Sequence, residues 1–167
     1  MSFMNNTIYE LANEVVRLLK EKKLTVATAE SCTGGLLSAY LTAVPGSSSV
    51  FELGITSYSC RIKHEILGVD DKTLDTLGAV SDKTALQMAD NVRKKACADI
   101  GLSVTGVAGP DGSEGHEPGL VYIAAATESK IYVKELNIDP LGRNYVRESA
   151  VFELLRLTVK IIKEELK

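Results

Sequence analysis

Residues 30–35, with the sequence ESCTGG, place a serine, a threonine and two glycines directly after an apolar segment. That segment, residues 24–29, predicts a buried strand, and residues 34–44 predict a helix. Ligands of open α/β sheets bind beyond the carboxyl ends of strands, where Ser31 would lie. Free N–H groups at the helix start would face a negative charge or a developing oxyanion, and the glycines would let a substrate approach. Ser31 is therefore a candidate nucleophile, unless Ser31 or Thr33 only caps the helix.

A second polar segment, residues 58–63 (YSCRIK), leaves a second predicted strand at residues 50–59. It carries Tyr58 and Lys63, which can both transfer protons. A lysine with an ordinary pKa near 10.4 is a poor base at neutral pH. Burial would lower that pKa and free the lone pair of the amine. The alternative interpretation of Lys63 is a solvated surface charge.

A third segment, residues 105–112 (TGVAGPDG), ends a predicted strand at residues 102–107 and opens a long polar loop at residues 108–118. Such a loop can wrap around a phosphate or a sugar. The alternative is a plain cluster of turn residues, because glycine, proline and aspartate are typical of turns.

The chain has three cysteines, which are Cys32, Cys60 and Cys97. Their number is odd and no CxxC pair occurs, so neither a disulfide framework nor a zinc site is predicted. Reduced thiols fit the cytoplasm, and the sequence shows neither a signal peptide nor a membrane span. Cys32 is an alternative nucleophile, but a small buried cysteine is the commoner case and no histidine is nearby in the sequence.

Composition and ligand spacing exclude several classes of partner. The net charge is -3 and aromatic residues make up 5% of the chain, with no tryptophan, so nucleic acid binding is not predicted. His64 and His116 are isolated, and no metal or other cofactor is predicted. A surface metal site of Asp111, His116 and Glu117 is the alternative. The expected partner is a small-molecule substrate, and a homo-oligomer is compatible with the sequence.

Hydrophobic periodicity predicts the elements that must position these segments. They are an N-terminal amphipathic helix closed by Lys22 and Lys23, a bulge at Gly54, a helical turn at 63–67, a helix at 81–98 capped by Ser81, a hairpin of strands 120–127 and 131–138, and a final helix from 143 to 166. The resulting order is α-β-α-β-α-β-β-β-α. It predicts one α/β domain over residues 1–167, a three-layer α/β/α sandwich whose mixed sheet has parallel strands and a C-terminal antiparallel hairpin.

Taken together, the polar segments resemble one protein family. AESCTGG, then YS-x3-K-x3-LGV, then SVTGVAGPDG and a Gly-x-Val-Tyr-Ile strand are similar to the C-terminal domain of the competence-damage protein CinA. The resemblance runs from about Val26 to the final helix, and the separate N-terminal domain of full-length members has no counterpart in this sequence. Stand-alone members of the family act as nicotinamide-mononucleotide deamidases.

The resemblance implies hydrolysis of nicotinamide mononucleotide to nicotinate mononucleotide and ammonia by a Ser–Lys mechanism without a cofactor. Matched position by position, it makes Ser31 the nucleophile, Lys63 the base and Tyr58 an assisting or orienting group. It also implies a phosphate-binding arginine, Arg143. The residues that would line the substrate are Thr33, Gly34, Gly35, Thr105, Gly106 and Gly109.

Two departures from the family pattern keep other functions open. Cys60 stands where the family usually has asparagine, and residues 116–119 read HEPG where it often has Lys-Pro-x-Gly. Glu117 at that loop edge would weaken attraction for phosphate. The alternatives are a non-catalytic nucleotide-binding module of the same fold and a Ser–Lys amidase for another small amide.

Overall fold

A computed structural model describes residues 3–164 and residue 166. The described residues form six helices and five strands, with one turn of 3-10 helix at Ser47–Ser49. In chain order they are α1 (Phe3–Lys22), β1 (Val26–Glu30), α2 (Leu36–Thr42), β2 (Phe51–Thr56), α3 (Cys60–Glu65), α4 (Asp71–Leu77), α5 (Asp82–Ala96), β3 (Ile100–Gly106), β4 (Leu120–Ala126), β5 (Ile131–Asn137) and α6 (Arg143–Glu164). Among these residues no helix is long and apolar enough to cross a bilayer.

The five strands form one sheet in the order β2-β1-β3-β4-β5. β1 runs parallel to β2 and β3, whereas β4 is antiparallel to both of its neighbours, so the predicted mixed sheet with a final hairpin is confirmed. At the end of β1, Glu30 pairs with Thr56 of β2 and with Val104 of β3. The carboxyl ends of three neighbouring strands therefore meet at one edge, and the three polar segments begin there.

Helices cover both faces of the sheet, which confirms the three-layer sandwich. On one face α1, α2 and α6 enclose large aliphatic side chains such as Leu102, Ile123 and Leu154. On the other face α5 packs against small side chains of the sheet. At Gly101 a Cβ would lie only 2.0 Å from the carbonyl oxygen of Ala89, so glycine is needed for α5 to lie this close to β3.

The turn after β1 is wider than predicted. The helix expected from Gly34 begins at Leu36, because Gly34 and Gly35 have φ values of +61° and +97°. These left-handed conformations suit glycine and delay the helix. β2 ends at Thr56 rather than at residue 59, because Ser59 leaves the sheet to cap α3. The remaining predicted ends, including that of α6, differ from the observed ends by three residues or fewer.

The prediction of a bulge at Gly54 is wrong. The pairing shifts opposite Glu52, where Val26 and Ala27 skip one residue of β2. Gly54 instead allows close packing, since a Cβ there would lie 2.9 Å from Ser38 Oγ on α2. The glycine reflects a contact between elements rather than an irregular strand.

The short helix α4 is absent from the sequence prediction, although both of its ends carry typical signals. Asp70 accepts a hydrogen bond from the backbone at the helix start, and Gly78, with φ +80°, ends it. The predicted cap of α5 is confirmed, because Ser81 Oγ accepts from a backbone N–H 3.2 Å away. The connection between α4 and α5 lies against the end of β3, where Thr105 Oγ1 donates to the Ala79 carbonyl at 2.7 Å.

Candidate active site

The polar segments after β1, β2 and β3 surround a cavity of about 260 Å³ at the carboxyl edge of the sheet. The predicted site residues that line it are Ser31, Tyr58, Lys63, Thr105, Gly106, Gly109 and Arg143. Thr33, Gly34 and Gly35 do not line it, and their contact with a substrate stays a prediction. The 108–118 loop adds Asp111 and Glu114 to the wall, and the connection before α5 adds Ala79 and Val80, which the sequence patterns did not assign to the site.

Ser31 and Lys63 form a direct pair. Lys63 Nζ lies 2.9 Å from Ser31 Oγ and donates to the Ser57 carbonyl oxygen at 2.8 Å. The lysine is 1% exposed although it lines the cavity, so the alternative of a solvated surface charge is wrong. The short helix α3 places it there, because Ser59 caps the helix and turns the side chain back over the end of β2.

The environment of Lys63 shifts its protonation equilibrium towards the neutral amine. Burial lowers the pKa of its ammonium group from the ordinary 10.5, because the charged form loses hydration. The opposing influence of Cys60, Cys32 and Glu114 on this pKa is smaller. A larger fraction of neutral amine at neutral pH is the property that a general base in this position needs.

Glu30 lies at the end of β1, and the sequence patterns assigned it no role. Its carboxylate is fully buried and accepts five hydrogen bonds. The donors lie 2.6–3.1 Å away and are the Thr33 hydroxyl, the amides of Gly35 and Leu37, and both the amide and the hydroxyl of Ser38. A charged residue at the end of an otherwise apolar strand was the available signal, since such a group is rarely buried without partners.

The Glu30 contacts overturn two expectations about the turn. The N–H groups at the start of α2 bind the carboxylate of Glu30, so they face a negative charge of the protein itself, and the expectation that they face a developing oxyanion is wrong. The alternative that Ser31 or Thr33 caps α2 is also wrong, because Gly35 is the N-cap residue and the carboxylate of Glu30 accepts from the first helical N–H groups. A further bond, from Arg147 Nη2 to the Thr33 carbonyl at 2.7 Å, holds the same turn from α6.

Arg143 and Tyr58 meet at the mouth of the cavity. Arg143 donates to the Gly109 carbonyl at 2.6 Å and to the Tyr58 hydroxyl at 2.7 Å. Tyr58 is 61% exposed, and its hydroxyl bonds to the arginine rather than to Ser31 or Lys63. The guanidinium therefore bridges the second and third polar segments beside the pair of Ser31 and Lys63.

The third segment contributes mainly backbone to the cavity wall. Gly106 packs against β4, where a Cβ would lie 2.6 Å from the Leu120 carbonyl oxygen. Gly109 has φ +84°, a conformation that few other residues adopt, and its carbonyl faces Arg143. Thr105 uses its hydroxyl to hold Ala79. These residues shape the cavity and leave most of its polar chemistry to side chains from the other segments.

The three cysteines differ in burial and in position relative to the cavity. Burial raises the pKa of Cys32 to about 12, which keeps its thiol protonated and disfavours it as the nucleophile. Cys60 is exposed and lines the cavity, and Cys97 is exposed at the end of α5. Within residues 3–164 and 166, no three histidine, cysteine or acidic side chains come together as a metal site, so the alternative with Asp111, His116 and Glu117 finds no support.

Sequence comparisons identify the family of this cavity-bearing fold. The profile of the CinA C-terminal domain matches residues 8–162. The chain is 53% identical over 151 residues to a Caldanaerobacter subterraneus subsp. tengcongensis protein provisionally named a competence-damage inducible protein. It is 47% identical over 137 residues to a CinA-like protein of Kosmotoga olearia. These matches cover 88% and 81% of this chain but 36% and 33% of the relatives, so the chain spans about a third of the length of the curated relatives it matches.

Solved structures agree with the sequence comparison. The competence/damage inducible protein CihA of Agrobacterium tumefaciens superposes with a TM-score of 0.92 at 37% identity, over 98% of this chain and all of that one. A CinA superfamily protein of Escherichia coli gives 0.88 at 30% identity, over 95% and 93% of the two chains. The chain belongs to the CinA C-terminal domain family.

Proposed function

We propose that this chain is a nicotinamide-nucleotide amidohydrolase, which converts nicotinamide mononucleotide to nicotinate mononucleotide and ammonia in pyridine nucleotide recycling. The observation that carries the proposal is the 2.9 Å contact between Ser31 Oγ and the buried amine of Lys63 at a cavity wall. A serine beside a neutral amine is activated to attack a carbonyl carbon. The resemblance of the three motifs to the family supports the choice of substrate.

In the first half of the reaction, neutral Lys63 takes the proton of Ser31 Oγ while that oxygen bonds to the amide carbon of nicotinamide. The resulting tetrahedral intermediate collapses when its carbon–nitrogen bond breaks. The Lys63 ammonium returns the proton to the departing nitrogen, so ammonia leaves and an ester joins Ser31 to the nicotinoyl group. One base therefore serves as the acid as well.

In the second half, a water molecule attacks the ester carbonyl and gives a proton to Lys63. The bond from carbon to Ser31 Oγ then breaks, and Lys63 returns the proton to that oxygen. The product forms as a carboxylic acid, loses its remaining proton to solvent and leaves as the carboxylate of nicotinate mononucleotide. The enzyme regains a neutral lysine beside a serine hydroxyl. Ammonia must depart before water can occupy its place near Lys63.

The carbonyl oxygen becomes negatively charged in both halves and needs hydrogen-bond donors. The amides of Gly35, Leu37 and Ser38 are already bound to Glu30. The amide of Cys32 follows the nucleophile directly, belongs to a residue of the cavity wall and lies outside the Glu30 contacts. We assign it as the candidate oxyanion donor.

Arg143 is the proposed phosphate ligand, because a guanidinium offers a planar fork of donors. Its contacts with the Gly109 carbonyl and the Tyr58 hydroxyl hold it at the cavity mouth. Tyr58 in this geometry orients the arginine, which favours the orienting role over proton transfer. Thr33, Gly34 and Gly35 support the site through the turn that carries Ser31.

The two alternative functions use the same cavity. A non-catalytic binding module gains nothing from a buried amine, whose desolvation costs stability, so Lys63 favours an enzyme. A Ser–Lys amidase for another small amide would keep Ser31 and Lys63 and differ in its need for Arg143. The contribution of phosphate to binding is therefore the property that separates the two enzymes.

We place the enzyme in the cytoplasm. Cys32, Cys60 and Cys97 are all free thiols in the structure. Free thiols persist in reducing compartments, where nucleotide recycling also takes place.

The deciding experiment measures ammonia release by the purified chain with nicotinamide mononucleotide, and Ser31→Ala serves as the control for contaminating activity. Nicotinamide riboside, which lacks the phosphate, tests the role of Arg143. Release that depends on Ser31 and falls sharply without the phosphate supports the proposal. Binding without release would indicate the non-catalytic module, and equal rates for both compounds would indicate an amidase of other specificity.

A further inference from the structure

The 108–118 loop carries a carboxylate that is fixed at the cavity wall. Glu114 Oε2 accepts from the backbone N–H of Ala79 at 2.8 Å and of Val80 at 3.4 Å. Gly78 makes room for it, because a Cβ there would lie 2.6 Å from the same oxygen. Glu114, Ala79 and Val80 all line the cavity.

The backbone of the loop forms a tight turn at Glu114. Ser113 and His116 exchange two backbone hydrogen bonds, of 3.1 and 2.9 Å, around a two-residue turn. Glu114 occupies the first turn position with φ +54° and Gly115 the second with φ +78°. A left-handed conformation is unfavourable for glutamate, so the bonds to the connection before α5 help to hold it.

Basic and acidic side chains lie on different sides of the cavity. Arg143 and Lys63 supply the basic groups, on the sides formed by α6 and α3. Glu114 and Asp111 supply acidic groups from the loop. A ligand in a cavity of about 260 Å³ lies within reach of both sets, since charges interact over roughly 8–10 Å at ordinary salt.

We infer that Glu114 is a specificity-determining residue, which favours a nucleotide with a cationic ring over its anionic product. The inference rests on the proposed function. The pyridinium ring of nicotinamide mononucleotide carries a positive charge on its ring nitrogen, and the reaction places a new carboxylate on the same ring. The fixed carboxylate of Glu114 attracts the first charge and repels the second, so it aids substrate binding and product release together.

The test is Glu114→Gln, compared with Glu117→Gln on the same loop. A glutamine carbonyl can accept from Ala79 and Val80 in place of the carboxylate, so the substitution removes the charge and keeps the loop contact. Glu117 is also exposed but does not line the cavity, so the structure gives no support to the expectation that it weakens attraction for phosphate, and it serves as a matched control for net charge. Thermal unfolding of both variants checks that the fold is kept.

Steady-state kinetics supply the readouts. Glu114→Gln is expected to raise KM for nicotinamide mononucleotide about three- to tenfold, because one partly screened charge contact is lost. The inhibition constant of nicotinate mononucleotide should change less than about twofold, because that product keeps the pyridinium charge and its new carboxylate offsets it. Glu117→Gln should change both constants less than about twofold. The KM for reduced nicotinamide mononucleotide, whose dihydropyridine ring is neutral, should rise in neither variant.

Two results would overturn the inference. Equal constants in the two variants would show that the charge of Glu114 has no special effect, and weaker binding of all three nucleotides would show that Glu114 only holds the loop. If the wild-type chain releases no ammonia, the proposed function fails instead. Dissociation constants of the same nucleotides, measured with the same variants, then still decide whether Glu114 selects by charge.

Discussion

The two sides of the cavity are held in opposite ways. The turn that carries Ser31 is buried and is fixed from within by Glu30, with a second tie from Arg147. The facing loop is exposed from residue 110 to residue 115 and is held at separate points by Glu114 and Arg143. The Ser31 turn is thus held by a dense set of short contacts, and the facing loop is held by a few contacts near solvent.

The difference teaches which part of the reaction each side can serve. Attack by a serine requires the reacting atoms to be placed within a fraction of an ångström, which a dense buried network provides. Admission and release of a charged nucleotide require a wall that can yield, which an exposed loop provides. Substitutions on the buried side should therefore lower turnover, and those on the loop side should alter binding.

The largest effect is expected from removal of the nucleophile. Ser31→Ala should lower kcat by on the order of 10³ or more and leave the fold intact, because no other group at that position can form the ester. Ammonia release under saturating substrate measures it. Cys32→Ala is the matched control and should stay active. An inactive Cys32→Ala beside an active Ser31→Ala would move the nucleophile to the neighbouring residue.

The base should show nearly as large an effect, together with a distinctive pH dependence. Burial lowers the pKa of Lys63, so the neutral fraction rises with pH, and the wild-type rate should rise through a pKa below 10.5. Lys63→Arg should be nearly as inactive as Lys63→Ala at every pH, since guanidinium does not deprotonate in proteins. Rates across pH for the three proteins test this. Near-normal turnover of Lys63→Arg would make Lys63 an electrostatic anchor instead.

An intermediate effect is expected at Glu30. Glu30→Gln places an NH2 group among donors, so part of the network is lost and the Ser31 turn loosens. We expect kcat to fall about 10- to 100-fold with little change in KM, and the free energy of unfolding to fall by about 2–3 kcal/mol. Kinetics and urea denaturation measure the two quantities. A larger change in KM than in kcat would show that the Ser31 turn also governs binding. That result would contradict the division of turnover and binding between the two sides of the cavity.

The smallest effect is expected at the cavity mouth. Tyr58→Phe removes a single hydroxyl contact with Arg143, so KM should rise about two- to fivefold while kcat is nearly kept. Assays with and without the substrate phosphate distinguish the two possible roles. A rise in KM restricted to the phosphorylated substrate supports the orienting role. A large loss of kcat would return Tyr58 to proton transfer.

Much of the fold follows from local pattern in the sequence. The apolar runs and the hairpin predict the strands and their mixed directions. Ser81, a typical N-cap residue, predicts the start of α5. The proximity of Ser31 and Lys63 also follows, because both leave parallel strands at the same edge. Position within the sheet was enough to connect two residues that are 32 positions apart.

What could not be predicted depends on contacts between distant segments. Glu30 binds Leu37 and Ser38 on a helix whose start was placed too early, so the sequence indicated no partners for its carboxylate. Glu114 meets Ala79 and Val80 across 34–35 residues, and α4, which brings them there, is too short to give a clear period. Gly54 looks like a bulge from its own strand alone, and only α2 explains it.

The main-chain bonds beyond the strand ends have a consequence for attempts to rebuild this site. Ser31 N donates to the Val104 carbonyl, Ser57 N donates to the Glu30 carbonyl, and Lys63 ends on the Ser57 carbonyl. Backbone atoms on all three parallel strands thus set the position of the pair, and no side-chain substitution removes them. Transplanting the serine and the lysine onto another scaffold should therefore fail unless three parallel strands come with them in the same order. The smallest part of the protein that could carry this site elsewhere is therefore the set of three parallel strands together with the two residues.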